Sequence, residues 1–289
     1  MSDFTSLASS IESIMDKQLK SGFMKEAGDC PECGASMFVF MNRRTNQPLC
    51  QPACPLCGYK VTDGKTPTNE NSAAKWTEQA RENDANNYLT HASVTVEPDI
   101  FNKTLENFRV ETPKQRQAMS VARQTVADIV AGQPAHCMFN GATGTGKSHL
   151  AMGMLYAIMV ESNYTKHCAF IDYRELLNQI KRGFNIEEAR KYADMVTEEI
   201  KKADVVVIDD LGSEAGDSTN NYQASAWGTD VATGIFAARE NKPTIITTNR
   251  VGKDLKRIYG DRVMSRILHH IHGRVMLFKG MQDYRVKAV

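Results

Sequence analysis

Residues 136–148 read His136-Cys137-Met138-Phe139-Asn140-Gly141-Ala142-Thr143-Gly144-Thr145-Gly146-Lys147-Ser148. The first five form a short apolar run that ends at a turn signal, as a buried strand does. The last eight match G-x-x-x-x-G-K-[ST] in full. The glycines let successive backbone N–H groups face one anion, and a helix starting at Lys147 adds the positive end of its dipole. Gly141, Thr143, Gly144, Thr145, Gly146 and His149 are therefore expected around bound phosphates. Lys147 is expected to neutralise the β- and γ-phosphates and Ser148 to coordinate Mg²⁺.

A second element lies downstream. Val205-Val206-Val207-Ile208-Asp209-Asp210 is an apolar strand ending in two carboxylates. Asp209 suits a Mg²⁺ ion held through water, and Asp210 suits polarisation of an attacking water. Together the two elements imply a site for ATP or GTP.

Working outward, the same alternation continues. Apolar runs at 136–140, 167–171, 204–209, 243–248 and 274–278 read as strands. Helical patterns fall between and around them, near 114–131, 147–161, 173–182, 186–202 and 221–240. Such alternation predicts an α/β domain over 99–289, a parallel sheet flanked by helices. Ahead of it, 62–98 is polar and reads as a linker with a helical stretch near 73–88, in which Trp76 and Tyr88 are candidate partner contacts. Residues 3–26 predict an amphipathic helix through Leu7, Ile11, Ile14, Met15 and Leu19.

Composition excludes several classes. Of 289 residues, 42% are apolar and 24% charged, with a formal net charge of +1, which argues against disorder. The sequence shows no internal repeat and no apolar run of membrane-spanning length. The N-terminus has no basic region leading into an apolar core, so a soluble, cytoplasmic protein is expected. The even balance hides a polarity: residues 1–98 carry a net −3 and residues 250–289 a net +7. The basic end favours an anionic partner.

Cys30-Pro-Glu-Cys33-Gly and Cys54-Pro-Leu-Cys57-Gly are two copies of one knuckle. Two C-x-x-C turns supply the four soft ligands of a tetrahedral Zn²⁺, and the Gly after each suits a left-handed turn. Four thiolates leave no open position, so the zinc is expected to be structural, within an N-terminal domain over 1–61. Cys50 is the spare cysteine.

Past the strand at 243–248 stands Asn249, where side chains face the ligand crevice of an α/β sheet. Gly260-Asp261-Arg262-Val263-Met264-Ser265-Arg266-Ile267 places two arginines one helical turn apart. Arg285 follows near the end. The order of these elements over roughly 100–289 resembles the AAA+ ATPases, and within them the bacterial replicative helicase loaders of the DnaC/DnaI type. The stretch Thr104-Leu105-Glu106-Asn107-Phe108-Arg109-Val110 and the terminal RVMLFKGMQDYRVKAV share the likeness. A zinc domain ahead of such a core is similar to the DnaI branch.

The resemblance implies a protein that grips a hexameric replicative helicase (DnaB type) through its N-terminal domain. Its ATPase domains would self-associate on single-stranded DNA during replication. By matching motif, Arg266 would be an arginine finger, Arg262 a second inter-subunit sensor, Asn249 the sensor-1 residue and Arg285 the sensor-2 arginine. The DNA-contacting helix falls on Lys181, Arg182 and Phe184, with Tyr222 as a further candidate; cation plus aromatic suits backbone neutralisation and base stacking. Asp210 departs from the usual Glu. One methylene fewer moves the carboxylate back, which implies slow hydrolysis with the nucleotide acting as a switch. Two other readings fit the same core: an IstB-like transposition ATPase on duplex DNA, and a helicase-sequestering binding module.

Overall fold

The computed structural model describes residues 17–42, 45–61, 69–215 and 226–281. The chain divides into two compact units, Met1–Ala74 and Lys75–Val289.

In the first unit, β1 (Met24–Asp29) and β2 (Ser36–Phe40) form an antiparallel hairpin with Met24 opposite Phe40. Single bridges from Ala53 to Phe38 and Lys60 fold the second knuckle onto it. Cys30, Met37 and Cys54 form a small buried cluster, with Ala35, Tyr59 and Val61 packed around them, and Met24, Val39 and Met41 are buried along the hairpin. The helix expected over 3–26 does not run that far. Residues 17–20 are helical, the chain turns at Gly22 with φ +69°, and β1 begins at Met24. Hairpin pairing overrides the helical period there, because Met41 N–H donates to the Phe23 carbonyl and Met24 is buried. Leu7, Ile11, Ile14 and Met15 lie outside the described residues.

The second unit is built on five parallel strands in the order β4-β5-β6-β3-β7. These are β3 (His136–Asn140), β4 (Cys168–Asp172), β5 (Val205–Asp209), β6 (Thr244–Thr248) and β7 (Val275–Leu277). Helices cover both faces: α1 (Asn69–Ala92), α2 (Pro113–Val130), α3 (Lys147–Glu161), α4 (Tyr173–Gly183), α5 (Glu187–Lys202), α6 (Ala226–Ala238) and α7 (Gly252–His269). The α/β class read from the sequence is the observed one.

Alternation along each strand sorts the core into two layers. Cys137, Phe139, Phe170, Val205, Val207 and Ile245 pack under α2 and α3. Met138, Ile171, Val206, Ile208 and Ile246 pack under α4 to α7. Strands buried on both faces read as continuous apolar runs, which is why they were legible. Local signals set the helix starts. Thr112 and Gln115 form a reciprocal capping box at α2, and Pro113 fills its first position. Among the described residues no helix is long and apolar enough to cross a membrane.

The domain boundary near residue 98 shifts. Ala85, Leu89, Ala92 and Val94 are buried in the second unit, and Val94 exchanges backbone hydrogen bonds with Phe170 and Asp172 along the free edge of β4. Tyr88 is part of this packing: it stacks on His167 at 4.3 Å and donates to the Glu199 carbonyl. A helix with one narrow apolar stripe reads as polar in sequence. The Trp76 side chain lies outside the described residues.

Candidate functional site

β3 sits between β6 and β7, and β5 lies beyond β6, so the loops leaving β3, β5 and β6 meet at one edge of the sheet. That edge is where α/β sheets bind ligands. An open cleft of about 480 Å³ lies there, lined by Thr143, Gly144, Gly146, Lys147, Ser148, Asp209 and Asp210 among others. The structure therefore brings together the residues of both sequence elements.

The loop after β3 is shaped by close approach. A Cβ at Gly141 would stand 2.6 Å from Phe278 Cβ, so only glycine fits. Gly146 takes φ +91° and opens α3. Lys147 Nζ donates to the carbonyls of Gly141 and Ala142 at 2.9 and 2.8 Å, and Thr145 Oγ1 donates to Ala142 O at 2.8 Å. His149 lies on the far rim, 2.6 Å from Asn107 Oδ1 and edge-on to Phe108 at 5.3 Å. With Lys103 and Arg109 these residues line an adjoining hollow of about 330 Å³.

At the end of β5, burial pushes the Asp209 carboxyl up to about 6, against hydrogen bonds from Thr247 and Ser148. Asp210 follows with φ +53°, a sparsely populated conformation for a non-glycine residue. Thr247 holds the turn: its hydroxyl donates to Asp209 Oδ1 and accepts from the Asp210 N–H. A third carboxylate, Asp172, pairs in register with Asp209 and lines the same cleft, and burial raises its pKa. Sequence reading missed Thr247 and Asp172. β6 is buried on both faces, so periodicity gave no sign of which threonine faces the cleft.

The remaining candidates are placed as follows. Asn249 is exposed just past β6 and does not line the cleft; Thr247 is the polar residue that β6 brings there. Arg262 and Arg266 follow a break in α7 at Gly260. Arg262 is exposed, whereas Arg266 is largely buried beside Glu240. Arg285 and Tyr222 lie outside the described residues.

Lys181, Arg182 and Phe184 cluster at the end of α4. Phe184 is 64% exposed and lies edge-on to Trp227 at 5.6 Å, and Lys181 Nζ stands 5.4 Å over the same indole. Arg182 reaches Glu175 at 3.9 Å. Trp227 is a member of this face that the sequence did not single out, because it comes from a distant helix.

In the first unit the four knuckle sulfurs all lie within 4.8 Å of one another, with Cys30–Cys57 and Cys33–Cys54 at 3.5 Å. Tetrahedral zinc with Zn–S of about 2.3 Å has sulfur–sulfur edges of about 3.8 Å, so the donor set fits. The two knuckles are near copies. Cys30 N–H donates to Ala35 O and Gly34 N–H to Cys30 O; Cys54 N–H donates to Tyr59 O and Gly58 N–H to Cys54 O. Gly34 and Gly58 take φ +73° and +77° with open space around them, so conformation selects glycine here. The Cys57 backbone N–H facing Cys54 pulls that thiol down to about 7. Cys50 is exposed and outside the cluster.

A parallel sheet with a phosphate-type loop after β3 and paired carboxylates at the end of β5, one strand removed across β6, defines a P-loop nucleotide-binding domain of the AAA+ type. The chain belongs to the family of IstB-like ATP binding proteins, whose profile matches residues 85–288. It is also similar to the replicative helicase loader DnaC of Escherichia coli (strain K12), 26% identical over 174 residues, or 60% of this chain. That match spans 65% of the relative's own length. A crystal structure of the DnaC helicase loader aligns with a TM-score of 0.53 at 25% identity, covering 63% of this chain and all of that one. A solved structure from Streptococcus pyogenes serotype M3 shares the fold at 18% identity, with a TM-score of 0.52 over 68% of this chain and 96% of the other.

Proposed function

We propose that this protein is a replicative helicase loader, an ATP-dependent AAA+ ATPase that assembles on single-stranded DNA. The observation that carries the reading is the likeness to DnaC across the nucleotide-binding unit. The face of Lys181, exposed Phe184 and partly buried Trp227 on the same unit supports a nucleic-acid role, since aromatic rings beside a cation suit base stacking on an unpaired strand.

In this reading the loop 141–148 holds the ATP phosphates, with Lys147 released from its own loop carbonyls to meet them. Ser148 and Asp209 hold Mg²⁺, which supplies charge neutralisation at the phosphates when bound. Asp210 orients the attacking water, Thr247 is the polar residue of β6 that serves the cleft, and Arg285 serves as a sensor. Arg266, with Arg262, acts on a neighbour's nucleotide. Because Asp210 is short, turnover is slow and binding acts as the switch. Cys30, Cys33, Cys54 and Cys57 hold a structural Zn²⁺. The N-terminal region, net −3 over residues 1–98, suits a protein partner, the hexameric helicase, better than DNA.

The test is native mass spectrometry of the chain mixed with its host's replicative helicase, with and without residues 1–74. The cut falls between the compact units and spares the packed end of α1. A complex that survives ATP and vanishes on truncation supports the loader reading; no complex with the full chain overturns it. The family match favours a second reading, an IstB-like transposition ATPase. A clear preference for duplex over single-stranded DNA would bring it forward.

A further inference from the structure

Arg266 is turned onto its own chain. Its Nε lies 3.7 Å from Glu240 Oε2, and its side chain is 17% exposed. Nη1 is buried with no hydrogen-bond partner among the described residues. A guanidinium presents five donors in a fork, and here one carboxylate oxygen meets it at long range. The pair is made, but it leaves the buried Nη1 of the arginine unsatisfied.

The carboxylate in this pair is held in place. Arg239, fully buried, donates to the carbonyls of Ile200 and Ala203 at 2.8 Å and of Pro243 at 2.6 Å, which fixes the turn carrying Glu240. The His136 ring nitrogens lie 3.2 Å from Ile267 O and 3.1 Å from Lys242 O, tying the same turn to the last turn of α7. Asn241 Oδ1 and His270 Nε2 meet at 3.0 Å across the same seam, and Glu240 Oε1 is 3.5 Å from His269 Nδ1. Arg262, one turn earlier on α7, is exposed.

We infer that Glu240 is a positioning residue for Arg266. It holds the guanidinium back in the separate chain and yields it to the phosphates of a neighbour's nucleotide on assembly. This rests on Arg266 acting in trans. A triphosphate offers several charged oxygens to the fork, where Glu240 offers one distant contact, so the exchange favours the assembled form once a neighbour is present. Until then the pair raises the protein concentration at which turnover begins.

The experiment follows ATP turnover against protein concentration for the full-length chain, Glu240→Gln, Arg266→Ala and the double variant, with melting curves for each. A partly exposed ion pair of this kind is expected to shift the midpoint about threefold. Glu240→Gln should therefore reach half-maximal turnover at about one third of the wild-type concentration, with the same maximum and a melting temperature lower by about 2 °C at most. Arg266→Ala should lower the maximum, and adding Glu240→Gln to it should change nothing further. If Arg266→Ala lowers turnover while Glu240→Gln leaves the midpoint in place, the holding role of Glu240 is overturned and the trans role of Arg266 stands. If Arg266→Ala leaves turnover unchanged, both are overturned. Should Glu240→Gln not fold, Glu240→Ala repeats the comparison; failure of both makes Glu240 structural and ends the proposal.

Discussion

Thr247 Oγ1 donates to Asp209 Oδ1 over 2.6 Å and accepts the Asp210 N–H over 2.9 Å, so one hydroxyl on β6 holds the carboxylate that ends β5 and the backbone of the aspartate after it. Positioning groups of this kind matter because the reacting geometry tolerates little slack. Thr247→Val keeps the shape and removes the hydroxyl. We expect turnover to fall about tenfold, with ATP affinity nearly unchanged, as read by steady-state hydrolysis beside a binding titration. Equal loss of both would mean that Thr247 shapes the pocket and does not orient the carboxylates.

Lys147 fills its own loop through two carbonyl contacts. Lys147→Ala removes the loop's own cation, and nucleotide affinity should drop about 100-fold or more in a fluorescent-nucleotide titration. The melting temperature should change little. Retained affinity would move the nucleotide away from this loop.

Among the described residues the zinc unit buries six apolar side chains, two of them the cysteines Cys30 and Cys54, so metal should supply much of its folding free energy. A metal assay should find about one zinc per chain. Chelation should collapse amide protection over residues 24–61 while the second unit melts as before, since the two are separate compact units. Protection that survives complete metal removal would rule out a metal-dependent fold.

Arg274 on the approach to β7 grips Asp128 of α2 through Nε at 3.0 Å and Nη2 at 2.5 Å, with both side chains about 15% exposed. The carboxyl loses solvation, but the Arg274 guanidinium and the Gln124 amide together outweigh this and hold its pKa below the usual value. A depressed carboxylate pKa adds stability that is present above the unfolded value near 3.9 and is lost as pH falls through the folded one. Asp128→Asn should therefore cost about 2 kcal/mol at neutral pH and progressively less below about pH 4, in denaturant melts at each pH. A cost independent of pH would show that the ion pair is not its source.

Phe184→Ala should weaken binding of an oligothymidine about tenfold at fixed salt, and Trp227→Ala should do likewise, as expected for lost base stacking. Lys181→Ala should reduce the salt slope by about one phosphate contact. Anisotropy titrations at several salt concentrations read both. If none of the three changes affinity, the strand does not bind at this face.

Chemistry local to a few consecutive residues could be read before any fold was known. The loop 141–148, the doubled knuckles and the alternation of buried strands with helices each depend on backbone conformation and burial within one short segment. Contacts made between segments far apart in the chain could not. Whether Thr247 or Asn249 serves the cleft depends on the register of β6 against β5, and Trp227 joins Phe184 only because α6 packs beside α4. The first residues of the second unit were read as linker because α1 presents one thin apolar stripe, whose meaning appears only against β4 and α5. Arg266 shows the limit most plainly. Its place in a GDRVMSRI helix was legible, but its contact with Glu240 exists because Arg239 and His136 fix a distant turn against the end of α7.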